Sequence, residues 1–105
     1  MSTSLGILLF SFLLAGPAFC AETVIDQKDR KFSMIEVTVK PGETIIFQNS
    51  DEVAHNVFSV TPNLEFEIHR QAPGEKSSVV FAKEGVVEVR CSIHPRMKLT
   101  VTVKK

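Results

Sequence analysis

From residue 35 onward, apolar and polar side chains alternate in short runs separated by turn-forming residues. Ile35, Val37 and Val39 alternate with Glu36, Thr38 and Lys40, the period of a strand with one buried face, and Pro41-Gly42 ends the run. Residues 44–48 form a second run with Ile45 and Phe47 on one face, closed by Asn49-Ser50-Asp51-Glu52. Residues 55–60 make a third, and Thr61-Pro62-Asn63 breaks the chain again. Residues 64–68 alternate Leu, Phe and Ile with Glu65 and Glu67, and Ala72-Pro73-Gly74-Glu75 supplies the next turn. Residues 77–82, 86–91 and 97–103 complete the set, the last two rich in β-branched residues and free of Pro and Gly. No stretch carries the helical period over a convincing length. Short strands spaced in this way predict an all-β, antiparallel sandwich.

Parity within the last two strands points to chemistry. Val87, Val89 and Cys91 share one face against Glu88 and Arg90, and Met97, Leu99, Val101 and Val103 share one against Lys98, Thr100, Thr102 and Lys104. Cys91 and Met97 therefore face inward at the same end of adjacent strands. The loop between them presents His94, whose backbone Pro95 restricts to extended angles. Upstream, His55 follows a turn and opens an apolar run, which makes it the best candidate for a fourth donor. His55, Cys91, His94 and Met97 together are two imidazoles, a thiol and a thioether, the donor set of a trigonal copper site with a long axial sulfur. Zinc competes for Cys and His but seldom recruits a thioether, so Met97 speaks for copper. His69 lies among polar residues before a Pro-Gly turn and reads as a surface histidine.

Composition narrows the class. The 105 residues carry twelve Lys and Arg against twelve Asp and Glu, a balance that suggests neither a basic tail for nucleic acid nor a patch for anionic membranes. Residues 1–21 hold no charged side chain and contain an apolar run of the length of a secretory core, then Gly16-Pro17 and small residues suited to cleavage. The expected organisation is a signal peptide over 1–21 and one copper-binding domain over 22–105, exported to the periplasm or beyond, monomeric and not inserted in the membrane after cleavage. Cleavage at or after Cys20 leaves Cys91 as a lone thiol in an oxidising compartment, where ligation gives it an occupation.

The residues then reach a known family. The Asp51 turn followed by His55-Asn56-Val57, the Pro73-Gly74-Glu75 turn and the closing Cys91-x-x-His94-x-x-Met97 resemble the small blue copper proteins, the cupredoxins, most closely their amicyanin and plastocyanin branch. The resemblance covers the chain from Glu22 to Lys105 and implies a Greek-key β-sandwich holding one copper ion. It implies equatorial ligation by His55, Cys91 and His94 and axial ligation by Met97. It also implies that Asn56 ties the two ligand loops together and hydrogen-bonds near the thiolate. With neither Trp nor Tyr in the chain, no relay through those residues exists, and the His94 edge is the expected electron port.

The leading expectation is a one-electron carrier, cycling Cu(I) and Cu(II), that meets a redox protein near His94 and Arg96. A copper-buffering or delivery protein would use the same four ligands at a more labile site. A cysteine hydrolase built on Cys91 and His94 is the remote reading, since nothing nearby resembles an oxyanion hole.

Overall fold

The computed structural model describes residues 21–105, so all of the expected signal peptide but Ala21 lies outside the described residues. Every regular element among the described residues is a strand: β1 (Glu22–Lys28), β2 (Lys31–Phe32), β3 (Glu36–Val39), β4 (Thr44–Asn49), β5 (Val57–Ser59), β6 (Phe66–Glu67), β7 (Lys76–Val80), β8 (Gly85–Cys91) and β9 (Lys98–Val103). They form a four-stranded sheet in the order β2-β1-β4-β7 and a five-stranded sheet in the order β3-β9-β8-β5-β6. The inner faces meet in one core. Ile25, Ile45 and Phe47 come from the first sheet, and Val57, Val87, Val89, Leu99, Val101 and Val103 from the second. Phe47 sits at the centre, stacked on Phe66 at 5.9 Å and edge-on to Phe32 at 6.3 Å.

The sandwich is as expected, with three differences of physical interest. Two pairings are parallel, β1 with β4 and β3 with β9, and the rest are antiparallel. Alternation gives the period of a strand but carries no information about its partner's direction. β1 was not expected at all. Its inward positions are Thr23, Ile25 and Gln27, so its buried face is largely polar in sequence. Ile35 stands outside β3 and is 80% exposed, so the inward run there is only Val37 and Val39.

Local chemistry sets the turns. Ala72 to Glu75 closes through the Glu75 N–H donating to the Ala72 carbonyl at 3.0 Å, with Pro73 and a left-handed Gly74 (φ 90°) at its centre. Gly85 opens β8 at a φ of 155°, and a Cβ there would come within 2.7 Å of Leu64 Cδ1, so a larger residue would strain the backbone and push the Leu64 side chain aside.

Candidate metal centre

β8 and β9 antiparallel, with Arg90 opposite Lys98, bring Cys91 and Met97 to one end of the second sheet, both 2% exposed. The loop between them closes by a turn in which the Met97 N–H donates to the His94 carbonyl at 3.0 Å, with Pro95 and Arg96 at its corners. β5 pairs with β8 so that Val57 lies opposite Cys91, which carries His55 to the same end. His55 is not in β5 itself. It forms an isolated bridge with Gln71, its N–H donating to the Gln71 carbonyl at 3.1 Å and its carbonyl accepting the Gln71 N–H at 2.8 Å.

Three donor atoms converge there. His55 Nδ1 and His94 Nδ1 are 3.1 Å apart, and Cys91 Sγ lies 3.7 Å from the first and 3.8 Å from the second. With metal–nitrogen and metal–sulfur bonds of about 2.0 and 2.3 Å, these edges subtend angles of about 100°, 120° and 125° at a common centre, close to a trigonal plane. The donor chemistry and the spacing both fit one ion, with the buried Met97 thioether at the same end of the sandwich. His55 is fully buried, whereas His94 is only half-buried and reaches the surface.

The surroundings fix the protonation pattern. Asp51 Oδ2 lies 3.0 Å from His55 Nε2. Burial works against the Asp51 anion, yet N–H groups of Arg30 and Glu52 and the His55 ring outweigh it and hold the carboxyl down at about 2. An ionised carboxylate only accepts, so Nε2 carries the proton and Nδ1 turns its lone pair toward Cys91 and His94. Desolvation, with the Arg30 charge adding to it and the Asp51 carboxylate opposing it, lowers the His94 pKa below its usual 6.5 and favours the neutral ring that a metal requires. Asn56 links the ligand segments through its backbone: its N–H donates to Cys91 Sγ at 3.3 Å and its carbonyl accepts the Ser92 N–H at 3.1 Å. Its side-chain Oδ1 is buried without a partner, so the tie expected of this residue is a main-chain one.

A polar framework that the sequence did not reveal braces the His55 segment. Asn49, 1% exposed, donates from Nδ2 to the carbonyls of Val53 and Gln71 and accepts the Asp51 N–H on Oδ1. The Gln71 side chain accepts from Gln27 Nε2 at 2.6 Å and donates to the Phe47 carbonyl and Ser77 Oγ at 3.0 and 3.3 Å. Asp51 had one available clue, a carboxylate four residues ahead of a candidate ligand. Gln27 and Gln71 had none. His69 lies apart from this cluster, its side chain 87% exposed beside Glu67, as its polar context suggested.

A small β-sandwich with a Cys, two His and a Met at one end defines a copper protein of the cupredoxin class, and comparison with known proteins places it. The chain belongs to the copper-binding proteins of the plastocyanin/azurin family, whose model matches residues 20–104. It is 28% identical over 112 residues to the methylamine utilization protein MauL of Methylorubrum extorquens, covering 99% of this chain and 98% of that one. Among solved structures, a reduced variant of amicyanin superposes with a TM-score of 0.74 at 28% identity, over 86% of this chain and 88% of that chain. A purple cupredoxin from Nitrosopumilus maritimus superposes with a TM-score of 0.70 at 26% identity, over 78% of this chain and 99% of its own. The cofactor is one copper ion, and the protein belongs to electron transport and is not an enzyme.

Proposed function

We propose that this protein is an exported, mononuclear carrier of single electrons, with His55, Cys91 and His94 as equatorial ligands and Met97 as the axial one. The observation that carries this reading is the triangle of donor atoms, already at metal-ligating spacing and braced from two sheets. Bound copper supplies a one-electron couple at moderate potential. The chain's part is rigidity and access. Asp51 fixes the His55 tautomer, Asn56 holds Cys91 and Ser92, and the His94-Met97 turn limits loop motion, so the ligands have little freedom to rearrange between oxidation states. His94 alone of the three triangle residues reaches solvent, which makes its ring edge the thin wall through which a partner exchanges electrons, beside Arg96.

Export rests on the uncharged run over 1–21, and the registered sheet pairing begins at Glu22, so removal of that segment costs the described sheets one backbone bond, from the Thr44 N–H to the Ala21 carbonyl. N-terminal sequencing of protein recovered from an exported fraction should begin between Phe19 and Glu22. No helix among the described residues is long and apolar enough to cross a membrane.

Titration with Cu(II) tests the ligand assignment. The protein should develop an intense visible band from thiolate-to-copper charge transfer, and Cys91→Ser should bind weakly without colour. A Cys91→Ser variant that kept the band would refute the assignment. Mixing the reduced protein with a strong Cu(I) chelator separates a carrier from a delivery protein. A carrier retains its metal while exchanging electrons quickly; rapid metal loss with sluggish exchange would mean delivery.

A further inference from the structure

A cationic element from the other sheet reaches the His94 face. The turn between β1 and β2 holds Asp29 and Arg30 in left-handed backbone (φ 51° and 58°), and the Arg30 N–H is anchored on Asp51 Oδ2 at 2.8 Å. That anchor leaves the guanidinium free to project. Arg30 lines a recess of about 370 Å³ together with Ile93, His94, Pro95 and Arg96. A neighbouring recess of about 350 Å³ shares Arg30 and Arg96 and adds Lys31, Lys98 and Ile35 among its walls. No carboxylate lines either recess, although the chain as a whole carries as many acids as bases. Within the cationic ring lie two exposed apolar side chains, Ile93 at 52% and Ile35 at 80%, which give the recess walls apolar area beside the cations.

We propose that Arg30, Lys31, Arg96 and Lys98, arranged around Ile93 and the His94 ring edge, form the docking surface for an acidic protein, which sets its carboxylates on the four cations and an apolar side chain in the recess. That this protein is the redox partner rests on the electron-carrier reading; that it is acidic rests on the surface alone. A second copy of the chain would bring cations against cations, so self-association through this face is disfavoured. Four like charges on one face steer an oppositely charged partner from a distance. The attraction reaches ~30 Å at 0.01 M salt and ~10 Å at 0.1 M, and it acts mainly on the association rate.

The test uses a defined probe, a synthetic heptapeptide of Glu and Asp with one central Leu, titrated into isotope-labelled protein in both its metal-free and copper(I) forms. Amide shifts should concentrate at Arg30, Lys31, Ile93 and Lys98, saturate, and vanish at high salt; a peptide with Lys in place of the acids should leave them unmoved. Arg30→Glu with Lys31→Glu, which spares every ligand and keeps the Arg30 N–H, should weaken the peptide at least about tenfold. The visible spectrum of the copper(II) form should be unchanged. The same pair should slow oxidation of the copper(I) protein by anionic hexacyanoferrate(III) and speed it by cationic tris(phenanthroline)cobalt(III). Shifts scattered over the molecule, a charge-reversed pair that leaves both the peptide affinity and the ratio of the two rates within twofold of wild type, or binding to phosphatidylglycerol vesicles without binding to the peptide would each overturn the proposal. Because the peptide titration on metal-free protein involves no electron transfer, specific peptide binding together with slow electron exchange would uphold the surface and refute the carrier reading.

Discussion

Replacing Gln71 with Leu should destabilise the fold far more than a single polar residue of a small domain ordinarily does. Its side chain makes three hydrogen bonds, from Gln27 Nε2 and to the Phe47 carbonyl and Ser77 Oγ, while only 2% exposed. Three such bonds contribute about 1 kcal/mol each, and stranding a Gln27 amide donor in the interior adds roughly 1 to 2 more, so the expected loss is about 4 to 5 kcal/mol. Gln27 is completely buried, its Oε1 already lacks a partner, and its Nε2 would keep only the Gln48 carbonyl at 3.2 Å. A domain of this size loses about 4 to 8 °C of Tm per kcal/mol, which puts the shift at roughly 16 to 40 °C. The measurement is thermal and urea unfolding of the metal-free protein followed by far-ultraviolet circular dichroism, since bound metal would add its own stabilisation. A second variant sharpens the argument. Gln27→Leu with Gln71→Leu removes both ends of the buried bond, and it should recover about 1 to 2 kcal/mol relative to the Gln71→Leu single change. A Gln71→Leu protein melting within ~5 °C of wild type, or a double variant no better than the single one, would refute the reasoning.

Two further outcomes are expected. Met97→Leu should keep the coloured site and raise the reduction potential, because loss of a weak donor disfavours Cu(II) over Cu(I); voltammetry reads it, and complete loss of copper would show that the thioether holds the metal in place. The Asp51 carboxyl is depressed from 3.8 to about 2, so its contribution to stability is complete above its unfolded value and is lost as pH falls through that window. The urea midpoint of metal-free wild type should therefore fall more steeply across that window than that of Asp51→Asn, and equal slopes would count against the contact.

The four candidate ligands were legible because their chemistry is written in residue type and spacing, and because strand parity says which way Cys91 and Met97 point. The second sheet was legible for the same reason: Val87, Val89, Leu99, Val101 and Val103 leave no doubt about their inward face. β1 was not, since its core-facing Gln27 donates to a partner 44 positions away that no local pattern foretells. The framework around His55 escaped for a related reason. Asn49 and Asp51 look like ordinary turn residues, and their work depends on Val53, Gln71 and Arg30 being folded around them. Ile35 misled in the opposite direction, an apolar residue in perfect alternation that the end of β3 leaves in solvent. Strand direction stayed hidden because antiparallel and parallel neighbours share a period of two.

The parallel pairing of β1 with β4 has a practical consequence for handling the molecule. β1 runs from Glu22, opposite Thr44, to Gln27, opposite Asn49, and so travels toward the His55 end. β9 leaves that end at Lys98 and finishes at Val103, opposite Gly85. Residue 22 and the final lysines thus both emerge at the pole away from His94. A linker to an electrode, a resin or a fused protein attached after Lys105 would hold the molecule like a lamp on its stand, with the redox end turned outward.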